Sequence, residues 1–218
     1  EENPALGRRG LRLSAERPEL LDAQLEALSI AAKETGADVR VMAPMVATVE
    51  EAAWFARRVR ENGLPKGGVM IEVPAAALRS AHVLAEVEFG SIGTNDLAQY
   101  TMAADRMQGE LSDLLDPWQP AVLDVVAAAC EGAASTGRPM GVCGESAGDP
   151  LLALVLTGLG VSSLSMAPSK VPVVRLALSL HSLPECQGIA AAARAAATAR
   201  EALEAVRELA RDELTDLL

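Results

Sequence analysis

The chain has 218 residues, of which 50% are hydrophobic and only 2% aromatic, and its formal net charge is −11 at pH 7. This length is enough for one large domain with a substantial core built from Ala, Val, Leu, Ile and Met. The negative charge argues against nucleic acid as a partner, because that affinity depends on Lys and Arg side chains that neutralise phosphates.

Helix and strand patterns alternate along the chain. The first clear helix covers 16–35, has apolar residues at helical spacing and is ended by Gly36. Thr48 begins a second helix with Glu51 as the partner of a capping box, and Pro74 opens a third. Later helices are predicted over about 120–135, over 150–159 and after 166. Strands are predicted at 39–42, 69–72, 89–92, 140–143 and 164–166, with a sixth considered around 6–13.

This alternation predicts parallel βα units with helices packed outside the sheet, as in a doubly wound sheet or a (β/α)8 barrel. No Gly-x-Gly-x-x-Gly follows the first strand, so the dinucleotide-binding signal of the doubly wound class is missing. Polar residues instead follow successive strands, at the edge where a barrel builds its active site. They are Arg8, Arg9, Glu72, Asn95, Asp96, Cys143, Glu145 and Ser165. We therefore predict a (β/α)8 TIM-type barrel. Since a barrel needs eight strands, we expect 1–218 to be one barrel domain without its first strands.

Two carboxylates follow neighbouring predicted strands. Glu72 closes an otherwise apolar strand, where a carboxylate is costly to bury unless it is paired or bound to a metal. Asp96 follows the next strand, and adjacent parallel strands lie about 4.8 Å apart. Both side chains could therefore reach one Mg²⁺ ion, which proteins bind through one or two carboxylates, substrate oxygens and water. A cap or an ion pair at the strand end is the structural alternative for Glu72.

Other candidate residues are less specific taken singly. Asn95 can donate an amide hydrogen to an anion, and Arg106 can bind a carboxylate or phosphate bidentately. Arg9 lies in a basic turn, and Arg40 is either an inward-pointing anion ligand on a strand or a salt-bridged structural residue. Cys143 is either a small buried hydrophobe or a polarised thiol beside a helix N-terminus.

Four separated motifs carry a family resemblance. They are Asn-Pro-Ala-Leu-Gly-Arg-Arg at 3–9, Val-Met-Ile-Glu-Val-Pro at 69–74, Ser-Ile-Gly-Thr-Asn-Asp-Leu-Ala-Gln-Tyr-Thr at 91–101 followed by Asp105 and Arg106, and Gly-Val-Cys-Gly-Glu at 141–145. Together they resemble the phosphoenolpyruvate-utilising enzymes. The Gln-Tyr-Thr and Asp-Arg extension is similar to the enzyme I branch, from the bacterial sugar phosphotransferase system. Pyruvate phosphate dikinase and phosphoenolpyruvate synthase are the alternatives within the family.

The resemblance implies specific roles. Glu72 and Asp96 would be Mg²⁺ ligands, and Arg9, Asn95, Asp96 and Arg106 would contact phosphoenolpyruvate. Cys143 would be the general acid that protonates C3 as pyruvate leaves. The resemblance also implies a homodimer and a histidine-containing phosphocarrier protein as partner, reached through an N-terminal phosphohistidine domain that we expect to be missing from this chain. A ligand-binding and dimerisation module without turnover is the rival hypothesis.

The expected compartment is the cytoplasm. Three cysteines form an odd set without framework spacing, which is typical of a reducing environment. The first residues show no secretory signal pattern, and the longest apolar run, 151–161, is shorter than the about 20 residues that span a bilayer. We therefore expect no membrane partner.

Overall fold

A computed structural model describes residues 4–217. Their centre is a parallel sheet of five strands, which are hydrogen-bonded in the order in which they occur along the chain. The strands are β1 (Val41–Ala43), β2 (Gly67–Ile71), β3 (Phe89–Gly93), β4 (Met140–Cys143) and β5 (Ser163–Leu164).

Helices connect the strands. In chain order they are α1 (Leu11–Glu16), α2 (Pro18–Thr35), α3 (Val49–Glu61), α4 (Pro74–Leu78), α5 (Ser80–Ala85), α6 (Thr94–Met102), α7 (Pro120–Thr136), α8 (Pro150–Gly158), α9 (Val171–Leu180), α10 (Leu183–Ala195), α11 (Ala199–Leu209) and α12 (Asp212–Thr215). Short 3₁₀ helices lie at Gly109–Leu115, Glu145–Gly148 and Pro168–Lys170.

The strand order shows what kind of α/β sheet this is. All four strand pairs are parallel, and the order never reverses. A doubly wound sheet reverses its order at a switch point, and none occurs among these five strands. Within residues 4–217 the sheet ends at β1 on one side and β5 on the other, so these strands form an open sheet and not a closed barrel.

The predicted sixth strand around 6–13 is wrong. The chain turns at Gly10, whose φ is 56°, and α1 begins at the next residue. The Leu11 N–H donates to the carbonyl of Pro44 after β1 instead of to a neighbouring strand. Of α1, only Leu11 is buried, so this apolar stretch supplies one core side chain and not a strand face.

Two clusters of buried side chains hold the layers together. One joins the sheet to its flanking helices through residues such as Val69, Ile71, Ile92 and Val142. The other joins α8 to the C-terminal helices through Leu154, Ile189, Ala193 and Val206, so α10 covers α8. In the part of the chain that the structure describes, no helix is both long and apolar enough to cross a membrane.

Candidate active site at the carboxyl edge of the sheet

The candidate site lies where β2, β3 and β4 end. The strand register pairs Ile71 with Ile92 and Gly93 with Cys143, so these strands finish close to one another. Glu72 follows β2 directly, Asp96 lies in the first turn of α6 just after β3, and Cys143 is the last residue of β4. The three strand ends therefore bring two carboxylates and a thiol to one edge.

Glu72 is a buried carboxylate with a fixed orientation. Glu72 is only 3% exposed, and its Oε1 accepts a hydrogen bond of 2.6 Å from the backbone N–H of Met45. Burial raises the pKa of Glu72, and the charge of Asp96 raises it further. The Met45 hydrogen bond and the charges of Arg9 and Arg106 act in the opposite direction. These influences indicate that both carboxylates and both guanidinium groups share one electrostatic environment.

Gly93 provides the space in which the Glu72 carboxylate lies. A Cβ at this position would lie 2.8 Å from Glu72 Oε2 and 2.9 Å from Met70 Sδ. Its φ of −91° is open to any residue, so close approach and not backbone conformation requires glycine here.

Asp96 is paired with Arg9 across the edge. Arg9 Nη2 lies 3.2 Å from Asp96 Oδ1, and their side chains are only 23% and 13% exposed. Asp96 Oδ1 is nevertheless buried without accepting a hydrogen bond, so the contact is an ion pair with poor hydrogen-bond geometry. A buried carboxylate oxygen that lacks a hydrogen bond is free to coordinate a metal ion.

The loop that carries Arg9 is held to the site by neighbours. The Tyr100 hydroxyl of α6 donates to the Ala5 carbonyl and lies 3.8 Å from Met45 Sδ. Tyr100 therefore connects the helix that bears Asp96 to the loop that bears Arg9. Tyr100 belongs to the motif at 91–101, but nothing in the spacing of that motif predicts this contact.

Asn95 and Arg106 line an open cleft of about 1180 Å³, whose lining does not include Glu72, Asp96, Arg9 or Cys143. The Arg106 backbone N–H donates to Oε1 of the buried Gln99, and the Arg106 side chain is exposed. Gly144 also lines the cleft, with a φ of 104°. A Cβ there would lie 2.6 Å from Thr94 Oγ1 and 3.3 Å from Asn95 Oδ1, so the glycine allows this loop to approach Asn95. Further residues lining the cleft include Glu145, Ser146, Asp149, Ser165 and Lys170.

Cys143 is half-buried at this edge. Its Sγ lies 3.5 Å from the Ile92 carbonyl, to which it donates, and its own carbonyl accepts from Thr94 Oγ1 at 3.2 Å. The other two cysteines, Cys130 and Cys186, are buried, and burial raises the pKa of Cys130 to about 12. Of the three thiols, only that of Cys143 therefore lies beside the carboxylates with partial access to solvent.

Arg40 does not join this arrangement. It precedes β1, at the amino edge of the sheet, and its exposed guanidinium pairs with Asp38 at 3.0 Å. Lys66, just before β2, pairs with the same carboxylate at 2.7 Å. Arg40 precedes β1 and its side chain is exposed, so the prediction that it points inward is wrong, and the salt-bridged alternative is what the structure shows.

The two carboxylates fit a metal ion as part of an incomplete ligand set. Among residues 4–217, no three His, Cys, Asp or Glu side chains are grouped closely enough to hold a metal. Glu72 and Asp96 would thus supply two ligands, and an octahedral Mg²⁺ would need water and substrate oxygens for the others. Both carboxylates have a reason to bind a cation, since burial and the charge of Asp96 raise the pKa of Glu72 and Asp96 Oδ1 accepts no hydrogen bond.

Comparison with known proteins identifies the family. Residues 1–182 match the family model described as PEP-utilising enzyme, PEP-binding domain. The chain is 56% identical over 208 residues to the phosphoenolpyruvate-protein phosphotransferase of Streptomyces coelicolor. This aligned segment is 95% of the present chain and 37% of that protein. It is 45% identical over 216 residues to the multiphosphoryl transfer protein of Xanthomonas campestris, covering 95% of this chain and 26% of the relative. The phosphoenolpyruvate-protein phosphotransferase of Bacillus subtilis is 36% identical over 220 residues, with 95% and 38% coverage.

These relatives are much longer than the chain, which spans 37%, 26% and 38% of their lengths. The matched segment nevertheless contains the whole sheet, both carboxylates, Arg9, Asn95, Arg106 and Cys143. The chain therefore belongs to the family of phosphoenolpyruvate-utilising enzymes and contains the phosphoenolpyruvate-binding domain of that family.

Proposed function

We propose that this chain is the phosphoenolpyruvate-binding part of a phosphoenolpyruvate-protein phosphotransferase. The observation that carries the proposal is the grouping of Glu72 and Asp96 with Arg9 and Arg106 at one edge of the sheet. Phosphoenolpyruvate carries a phosphate and a carboxylate, and two arginines beside a carboxylate pair suit a metal-chelated anion of this kind. The names of the relatives favour the phosphotransferase over the dikinase and synthase alternatives.

Binding would use the residues in distinct ways. Glu72 and Asp96 would hold Mg²⁺, which when bound supplies positive charge to the phosphoryl oxygens and to the enolate oxygen of the product. Arg9 would grip the phosphoryl group, Arg106 would bind a second anionic group of the substrate, and the Asn95 amide would donate to it from the first turn of α6. Burial of Glu72 and Asp96 strengthens such charge interactions relative to water.

Cys143 would complete the reaction. The phosphorus–oxygen bond of phosphoenolpyruvate breaks, the phosphoryl group goes to a histidine nitrogen outside this chain's site, and the enolate of pyruvate remains. The Cys143 Sγ–H then gives its proton to C3 of the enolate, and the thiolate is reprotonated from solvent. The half-buried thiol at the end of β4 suits this role because it lies beside the carboxylates and is accessible from the edge.

Histidines of this chain do not take the phosphoryl group in this proposal. His181 is buried, with Nδ1 bonded to the Ala177 carbonyl at 2.7 Å and Nε2 accepting from the Arg211 N–H at 3.1 Å. His82 lies within α5 and contacts Arg79. The accepting histidine would belong to a separate domain that passes the group to a histidine-containing phosphocarrier protein.

Architecture and assembly complete the proposal. The five strands in unbroken parallel order would be one arc of a (β/α)8 barrel, because such an arc places all its carboxyl ends at the catalytic face. The chain would act as one domain in a cytoplasmic homodimer. Sedimentation of the chain at high concentration tests the dimer, and a monomer would contradict it.

Calorimetry with phosphoenolpyruvate, in the presence and absence of Mg²⁺, tests the binding site. Asp96→Asn should abolish the metal-dependent part of phosphoenolpyruvate binding, because it removes a charged ligand. Asp124→Asn is the matched control, since Asp124 is an exposed carboxylate that pairs with Arg194 on a distant helix. Unchanged binding in Asp96→Asn would refute the site, whereas metal-dependent binding without turnover in the assembled enzyme would favour the rival binding module.

A further inference from the structure

The Arg9–Asp96 ion pair has a property that the binding scheme above does not use. The arginine that would grip the phosphoryl group lies against the carboxylate that would bind the metal, with Nη2 3.2 Å from Oδ1. We propose that Arg9 competes with the metal ion for Asp96, so that metal and phosphoenolpyruvate each assist the binding of the other. This inference rests on the proposed function.

Competition follows from where the two cations must be. Mg²⁺ binds oxygen ligands at about 2.0–2.1 Å. A metal ion on Asp96 Oδ1 would therefore face a guanidinium that already lies beside the same oxygen. Both side chains are largely removed from water, so the repulsion between the two cations is only weakly screened. Metal binding without substrate must displace Arg9 from its anion.

Displacing Arg9 without an anion to receive it is unfavourable. The guanidinium is about three-quarters buried, and removing its carboxylate partner leaves a mostly buried charge without compensation. The poor hydrogen-bond geometry of the pair is consistent with a contact that can be exchanged, since Asp96 Oδ1 accepts no hydrogen bond from Arg9. The two side chains therefore attract each other through charge, without a directional hydrogen bond to Asp96 Oδ1.

A phosphoryl group both lessens the repulsion between the metal and Arg9 and gives Arg9 a new anionic partner. Its oxygens can accept hydrogen bonds from Arg9 and can also complete the coordination of the metal. Substrate thus draws Arg9 away from Asp96 and frees the oxygen that the metal needs. Because coupling between two ligands is reciprocal, metal must tighten substrate binding by the same factor as substrate tightens metal binding.

The loop geometry allows Arg9 to change partner without unfolding. The backbone around it is anchored by the Tyr100 hydroxyl on Ala5 and by the Leu11 N–H on the Pro44 carbonyl at 3.2 Å. Neither anchor involves the Arg9 side chain. The same anchors should keep the loop in place when that side chain is shortened or made apolar.

Arg9→Met should strengthen metal binding and weaken phosphoenolpyruvate binding. These opposite effects distinguish competition from a general loss of structure. Mn²⁺ serves as the metal probe, and its binding to the 218-residue chain is followed by electron paramagnetic resonance without phosphoenolpyruvate. Arg9→Met should bind Mn²⁺ at least about fivefold more tightly than the wild type, the lower end of typical couplings. The same variant should bind phosphoenolpyruvate more weakly, and phosphoenolpyruvate should tighten its Mn²⁺ binding by a smaller factor than in the wild type, because only direct coordination of the metal by the phosphoryl oxygens remains.

Two control variants separate the ion pair from overall charge. Arg8→Met removes the same charge from the adjacent residue, whose side chain is 76% exposed and pairs with Glu16. It should leave Mn²⁺ affinity unchanged within about twofold, because exposed charges are well screened. Arg9→Lys keeps a cation at the site and should retain most of the competition.

The outcomes are distinguishable. Mn²⁺ binding that requires Asp96 but is no tighter in Arg9→Met than in the wild type would overturn this inference and leave the proposed site intact. Mn²⁺ binding that Asp96→Asn does not alter would overturn the proposed metal site, and the competition with it. Equal tightening by Arg8→Met and Arg9→Met would also overturn the inference, because a general charge effect would then explain the result.

Discussion

Gly93→Ala tests whether the position of the Glu72 carboxylate controls metal binding. The added Cβ would lie 2.8 Å from Glu72 Oε2, whereas ordinary contact begins at 3.4 Å, so the carboxylate must yield by about 0.6 Å if it alone moves. It cannot shift freely, because its other oxygen is held at 2.6 Å by the Met45 N–H. Metal sites tolerate about ±0.2 Å in ligand distance. A displacement three times larger should lower Mn²⁺ affinity by about 10–100-fold, as other changes around metal ligands do.

The assay is Mn²⁺ binding with phosphoenolpyruvate present, measured beside the thermal unfolding of each variant. Gly67→Ala is the matched control, because its Cβ would meet Val59 at 3.4 Å, which is ordinary contact, at the other end of β2. The control should keep wild-type metal affinity. A folded Gly93→Ala that binds Mn²⁺ as tightly as the wild type would refute the reasoning, because it would show that the Glu72 carboxylate does not need this space. Equal losses in both variants would refute it as well.

Two other substitutions address the charge of Glu72 and the role of Cys143. Because the pKa of Glu72 is raised in the folded chain, Glu72 there keeps its proton to higher pH than in the unfolded chain, whose ordinary value is 4.5. The contribution of Glu72 to the free energy of unfolding therefore falls as pH rises above about 4.5. Glu72→Gln should remove this fall, and urea unfolding between pH 4 and pH 8 should show a smaller loss of stability in the variant; a parallel pH dependence would contradict the assignment. Cys143→Ala should leave Mg²⁺-dependent phosphoenolpyruvate affinity nearly unchanged, since no carboxylate, arginine or amide is altered. In an assembly with its phosphohistidine domain, turnover should fall by about 10²–10⁴, the usual contribution of general acid catalysis, and normal turnover would reduce Cys143 to a packing residue.

The sheet could be predicted from the sequence because its signals are local. Each of the five strands lies within about two residues of its predicted place, since short apolar runs are bounded by glycine, proline and polar residues. The capping box of α3 also forms as expected, with Thr48 and Glu51 bonding reciprocally. The failures occur where local signals are ambiguous. The stretch around 6–13 is too short to separate helix from strand by periodicity, and the contact from Leu11 to Pro44 decides it.

Strand ends also made part of the site predictable. Glu72, Asp96 and Cys143 all lie at or just after the ends of strands at one edge, and parallel strands require those ends to meet. The direction of Arg40 was not predictable in the same way, because Arg40 lies outside β1, where the alternation of side chains along a strand no longer fixes which way it points. The pairing of Arg9 with Asp96 joins residues that are far apart in the chain, and no spacing rule shows it.

Met45 is the clearest case of a site residue with no sequence signal. It has a φ of 61°, which costs a non-glycine residue roughly 1–2 kcal/mol, and this conformation aims its N–H at Glu72. Its side chain fills the space above Gly10, where a Cβ would lie 2.9 Å from Met45 Cβ, and its sulfur lies against the Tyr100 hydroxyl. The loop after β1 thus contacts both the loop that carries Arg9 and the carboxylate of Glu72. Since the strained turn is held from both sides, a shift of the Arg9 loop would be transmitted to the carboxylate through Met45. The Arg9 loop and the Glu72 carboxylate are therefore held in place together through Met45, whereas the Arg9 side chain makes none of these contacts and is free to change partner while both loops stay fixed.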